Sequence, residues 1–202
     1  MAGHEFTVRE AEEPYPGGDR RGTVLMLPGR AYSCDMSLLA WTTRALQSTG
    51  WTVLQAEWNL SAIPAEPRAF IQGVAQQLDE MKRPAEPVLI VAKSLGTLAA
   101  HWGAEKGYPA VWLTPVVKAA GRYPLPGHSD ALSRRIREDP THNLVVGGTA
   151  DILWQTGFRG TGQVLEIEGA DHGLEVADWR TSVQQHEAVA SAVVHFASGV
   201  AG

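Results

Sequence analysis

Three side chains stand out by their type and by where they sit. Ser94 lies in PVLIVAKSLGTLAAHWG, residues 87–103, where an apolar β-branched run stops at Lys93-Ser94 and a small-residue helical pattern begins at once. Asp151 follows the apolar run Asn143 to Val146 through GGTAD, and His172 follows Gln163 to Ile167 through GADHG. A hydroxyl, a carboxylate and an imidazole, each placed after a strand, are the parts that acyl transfer needs. The oxygen attacks a carbonyl, the imidazole takes its proton and the carboxylate fixes the tautomer. Serine is also a good helix N-cap, so VAKSLG alone leaves two readings, a cap or a nucleophile on a sharp turn. The cap reading has no use for Asp151 and His172; the nucleophile reading needs both.

The rival residues fit less well. Asp171 directly precedes His172 and is poorly placed to support that ring from behind. Of the other histidines, His4 lies in the N-terminal tail, His101, His186 and His195 fall within helical patterns, and His128 and His142 sit in turns before elements. No two histidines have ligand spacing with a carboxylate on one face, so neither a metal site nor another cofactor is expected. Lys93 would point away from Ser94, because successive strand residues face opposite sides, and is expected to be solvated or at the rim. Cys34 reads as a small, partly buried loop residue.

These residues need a scaffold that brings strand ends together. Candidate strands are Thr23 to Leu27, Trp51 to Glu57, Val88 to Ala92, Ala110 to Thr114, Asn143 to Val146 and Gln163 to Ile167. Helical spacing covers Met36 to Ser48, Pro67 to Met81, Leu95 to Lys106, Ser129 to Glu138 and Arg180 to Ala197. This alternation predicts an α/β fold: a doubly wound, mostly parallel sheet of about six to seven strands with helices on both faces. The segment from Glu5 to Glu12 is expected to pair antiparallel at one edge. In such sheets binding groups collect at the carboxyl ends of strands, where Ser94, Asp151 and His172 fall. The 202 residues suit one domain, residues 1–202, with 1–5 and 198–202 expected to fray.

Composition narrows the partners. The balance of 17 Lys+Arg against 22 Asp+Glu gives net −5, and no basic run exceeds Arg20-Arg21 or Arg134-Arg135. Nucleic acid is therefore not an expected partner. No apolar stretch approaches the roughly 20 residues needed to cross a bilayer. The single Cys34 and an N-terminus without a charged start and apolar core point to the cytoplasm.

The order Ser94, Asp151, His172 is similar to that of the α/β-hydrolases. The chain resembles a small, lid-less, dienelactone-hydrolase-like member of that superfamily from Gly22 to Ala197, with its GTAD and GADH segments bringing the acid and the base. It departs once. The elbow pattern G-x-S-x-G stands here as Ala92-Lys93-Ser94-Leu95-Gly96, with one extra methyl group two residues before the serine. The resemblance implies an oxyanion hole from the N–H of Leu95 and a second N–H just past the turn Pro28-Gly29, from Arg30 or alternatively Ala31. Only Pro115 to Gly127 separate the fourth strand from the next helix, so no large cap domain is expected.

Tyr32, Trp154 and Tyr123, with Trp58, fall near the same ends of the sheet and are candidates to line an apolar substrate pocket. Arg30 and Arg122 would favour a carboxylate on the substrate. The activity implied is that of a serine esterase, cleaving a small carboxylic ester, thioester or lactone through an acyl-enzyme on Ser94. The partner is then a small-molecule acyl substrate. Two alternatives keep the scaffold: a non-catalytic interaction protein, which the Ala92 departure favours, and an acyltransferase or cyclase using the same three residues.

Overall fold

The computed structural model describes residues 5–12, 19–60, 62–118, 128–139, 142–160 and 162–200. The strands are β1 (Phe6–Glu10), β2 (Gly22–Leu27), β3 (Trp51–Trp58), β4 (Val88–Lys93), β5 (Ala110–Leu113), β6 (Asn143–Gly148) and β7 (Gln163–Ile167). The helices are α1 (Ser37–Gln47), α2 (Pro67–Met81), α3 (Ala100–Lys106), α4 (His128–Glu138) and α5 (Trp179–Ser198). They build one seven-stranded sheet in the order β1-β3-β2-β4-β5-β6-β7. Only β1 runs antiparallel, pairing with β3 at the edge; the other six strands are parallel.

Burial on both faces explains why the central strands are continuous apolar runs rather than alternating ones. Successive residues still go to opposite faces. Leu25, Leu27, Ile90 and Ala92 join the core formed with α2, α3 and α4 through Ile71, Val74, Trp102 and Leu132. Val24, Met26, Leu89 and Val91 join the opposite core, formed with α1 and α5 through Leu38, Leu46, Val189 and Val193. Cys34 belongs to this second core. It is fully buried, not partly buried as expected, and its thiol lies 3.4 Å from the carbonyl of Ala56.

Three local departures from the expected elements bear on the site. The segment from Leu95 is not one α-helix: a 3₁₀ helix covers Ser94–Ala99 before α3 starts, and the Thr97 hydroxyl bonds the Ser94 carbonyl at 2.5 Å. β5 stops at Leu113 because Thr114 turns to φ +42°, outside the β region. β6 runs on through Gly147 and Gly148, where a side chain would have no room. A Cβ at Gly147 would lie 2.2 Å from the Trp154 ring, and one at Gly148 2.2 Å from the Ala170 carbonyl oxygen.

Candidate active site

The turn after β4 is the first element of the site. Ser94 has φ +51°, a conformation that non-glycine residues adopt only where the surroundings over-determine it. Gly96 makes the turn possible. A Cβ there would sit 2.6 Å from the Leu27 carbonyl oxygen, and its own N–H donates to Pro28 O at 3.1 Å. Ala92 does not disturb it: the residue is fully buried between Leu27 of β2 and Trp112 of β5, with its methyl group in the α2/α3/α4 core. The strand-to-helix turn therefore forms with alanine in the place of the first elbow glycine.

Asp151 and His172 close on Ser94 from the ends of β6 and β7. Ser94 Oγ lies 2.7 Å from His172 Nε2, and His172 Nδ1 lies 2.7 Å from Asp151 Oδ2. A carboxylate only accepts, so Nδ1 carries the ring proton and Nε2 is left to accept from the serine hydroxyl. Asp151 Oδ1 also accepts from the Leu153 N–H at 2.9 Å, which fixes the carboxylate plane. The Asp151 side chain is fully buried while His172 is 33% exposed, so the imidazole meets solvent and the carboxylate does not.

Asp171 has another task. Its Oδ1 accepts from the N–H groups of Gly173 and Glu175 at 2.7 and 3.1 Å and folds the loop that carries His172. His186, on α5, contributes from behind through a bond between Nε2 and the Gly173 carbonyl at 3.1 Å.

The oxyanion candidates lie on the two segments expected. Leu95 is buried at the start of the 3₁₀ helix, and Arg30 follows Gly29, whose Cα is close enough that a Cβ would lie 3.3 Å from Ser94 Cβ. Trp58, at the end of β3, donates its indole N–H to the Gly29 carbonyl at 2.8 Å. In a trans peptide the N–H points opposite to the carbonyl, so this bond aims the Arg30 N–H away from Trp58.

The residues expected to line a substrate pocket divide. Tyr32 stands beside the site with its hydroxyl occupied: it accepts from the Leu38 N–H at 3.0 Å, serving the first turn of α1, where Met36 has no capping side chain. Burial raises the pKa of that phenol. Trp154 is 3% exposed, lies flat against Gly147 and donates to Glu166 at 2.8 Å; its ring fills core space that the glycine leaves and also borders the cleft beside Asp151. Tyr123 and Arg122 lie outside the described residues. A cleft of about 850 Å³ opens beside Asp151, lined by Val117, Lys118, Asp130 and Gln155 among others. A second, of about 870 Å³, lies between α1 and α5 and contains none of the three residues.

Lys93 is a correction. It is neither solvated nor at the rim but 1% exposed. It does point to the opposite face from Ser94, as strand alternation requires. On that face its ammonium meets Thr114 Oγ1 at 2.8 Å, the His172 carbonyl oxygen at 2.6 Å and the face of the Tyr32 ring at 4.7 Å. Burial lowers its pKa to about 8, against the opposing charges of Asp151, Asp171 and Glu175. A charged residue closing the run VLIVA was the available signal that this position has buried partners.

Among the described residues, no three His, Cys, Asp or Glu side chains group as a metal site would require. None of the described helices is long and apolar enough to cross a membrane.

No protein-family model and no curated protein sequence matches the chain. Solved structures do. Est1E from Butyrivibrio proteoclasticus, determined with ferulic acid bound, superposes with a TM-score of 0.73 at 10% identity, over 98% of this chain and 96% of that one. A monoacylglycerol lipase from Paleococcus ferrophilus gives 0.68 at 13% identity, over 95% and 99%. An α/β serine hydrolase without lid from Xanthomonas campestris gives 0.60 at 15% identity, over 95% and 86%. The chain has the α/β-hydrolase fold. No large cap domain is built among the described residues.

Proposed function

We propose that the chain is a serine hydrolase acting on ester bonds, with Ser94 as nucleophile, His172 as general base and acid, and Asp151 as the residue that orients His172. The observation that carries this reading is the continuous pair of 2.7 Å contacts from Ser94 Oγ through the His172 ring to Asp151. The Ser94 proton passes to Nε2 as Oγ attacks the acyl carbon, and the Asp151 carboxylate stabilises the imidazolium that forms. The N–H groups of Leu95 and Arg30 receive the developing oxyanion. Collapse expels the alcohol, which takes the proton from Nε2. Water then repeats the sequence on the acyl-enzyme and releases the acid.

Small carboxylic esters, thioesters or lactones are the proposed substrates, since only residues 114–127 separate β5 from α4 and leave little chain to build a deep acyl tunnel. The esterase and lipase names of the structural neighbours support ester chemistry at the level of the shared fold. The reading that the scaffold is non-catalytic loses its one argument, because the elbow accommodates Ala92.

The test is turnover of p-nitrophenyl acetate together with labelling by a fluorophosphonate. Wild type is expected to hydrolyse the ester and take up one label; Ser94→Ala is expected to do neither while keeping its fold by circular dichroism. Undiminished turnover in the mutant contradicts the mechanism.

A further inference from the structure

Resting on the reading of Ser94 as nucleophile and His172 as its base, we propose that Lys93 is a positioning residue: its ammonium grips the main chain of His172 so that the ring meets Ser94. Lysine is almost never fully buried unless its charge has partners. Here all three N–H bonds have one: the His172 carbonyl at 2.6 Å, the Thr114 hydroxyl at 2.8 Å, and the face of Tyr32 at 4.7 Å. The carboxylates of Asp151, Asp171 and Glu175 supply the surrounding negative charge.

The dipeptide Lys93-Ser94 thus contacts His172 twice, once at its carbonyl through Lys93 Nζ and once at its ring through Ser94 Oγ. Ser94 and His172 are both tied to the end of β4, and a shift of the histidine loop relative to β4 must break the lysine bond. The backbone around the grip is strained at three points: Ser94 at φ +51°, Thr114 at +42° and Leu174 at +60°. A β-branched residue in this region is a genuine outlier, and Thr114 is the one whose hydroxyl accepts from Lys93. Other bonds hold the loop on the C-terminal side of His172, from Asp171 and His186 to Gly173. Lys93 holds His172 itself. With its protons committed to Thr114 and the His172 carbonyl, the amine is not placed to act as the base for Ser94.

The test is Lys93→Met, which keeps an apolar stem of similar length and removes every donor. With p-nitrophenyl acetate, kcat is expected to fall about 10- to 100-fold while KM stays within about two-fold, as misplacement of a catalytic group predicts. Fluorophosphonate labelling of Ser94 should slow by the same factor. The low-field proton resonance of the His172 Nδ1–H should broaden or move. Thr114→Val, which removes only the second acceptor, should show part of the loss, and Thr114→Ser should restore it; this pair carries the test if Lys93→Met does not fold. A Lys93→Met protein with wild-type kcat and labelling rate overturns the proposal, as does a Thr114→Val protein indistinguishable from wild type where Lys93→Met is unfolded. A wild type that is neither labelled nor active would instead remove the reading of Ser94. The His172 resonance then still decides the grip, and an unchanged resonance in Lys93→Met overturns it.

Discussion

Lys93 and His172, 79 positions apart in the chain, meet through a 2.6 Å bond from the ammonium of one to the main-chain carbonyl of the other. The bond joins the end of β4 to the loop after β7, and on those two segments lie the hydroxyl and the imidazole of the site. β5 and β6 lie between them in the sheet, so the two segments have no direct strand pairing to hold them in register.

The burial of that lysine has a thermodynamic signature. Its folded pKa is about 8, below the ordinary 10.5, chiefly because burial penalises the charge. Between those values the unfolded chain holds a proton that the folded chain has released, so stability rises with pH across the window. Wild type is expected to gain about 3 kcal/mol on Lys93→Met from pH 8 to 10.5 in urea unfolding. A difference that stays flat across that range removes the assignment.

Asp151→Asn tests the tautomer argument. The amide keeps the shape but can donate to Nδ1, which moves the ring proton to Nε2 and denies Ser94 its base. We expect kcat to drop by about 10⁴ with the fold intact, read from initial rates on p-nitrophenyl acetate. A loss below about ten-fold would show that the His172–Asp151 bond is not needed for turnover.

The elbow separates two substitutions that look alike in sequence. Ala92→Gly restores the usual pattern but removes a buried methyl group and adds backbone freedom. It is expected to leave kcat within about two-fold and to cost about 1 kcal/mol of stability. Gly96→Ala drives a methyl group to 2.6 Å from the Leu27 carbonyl oxygen and should displace the turn, with loss of labelling at Ser94. Urea unfolding and labelling rates on both variants check the pair.

Trp58→Phe keeps the edge packing on Phe70, where the ring centroids are 5.8 Å apart, and deletes the N–H that holds the Gly29 carbonyl. Because that bond aims the Arg30 N–H, kcat should fall by about ten-fold with KM little changed. An unaltered kcat would detach Trp58 from the oxyanion loop.

The strands, and the places of Ser94, Asp151 and His172 just beyond three of them, were legible in the sequence for a physical reason. Strands buried on both faces are continuous apolar runs, and a polar residue just beyond such a run lies at the strand's carboxyl end by construction. The partners of Lys93 were not legible, since one is a main-chain carbonyl, which every residue carries, another is a threonine turned by a backbone outlier, and the third is the face of Tyr32, 61 positions away in the chain. The packing of Trp154 was not legible either, because its position in a loop after β6 says nothing of the space over Gly147 that its ring fills. Tyr32 lies where expected, yet its hydroxyl serves the first turn of α1, a need that arises from Met36 having no side chain to cap it.

The most direct measurement of the central claim is the site of fluorophosphonate attachment, found by peptide mass mapping of the labelled protein. One adduct on Ser94, absent from Ser94→Ala and slowed in Asp151→Asn, is the predicted result. No adduct on a folded, intact wild type, or an adduct that persists in Ser94→Ala, would contradict it.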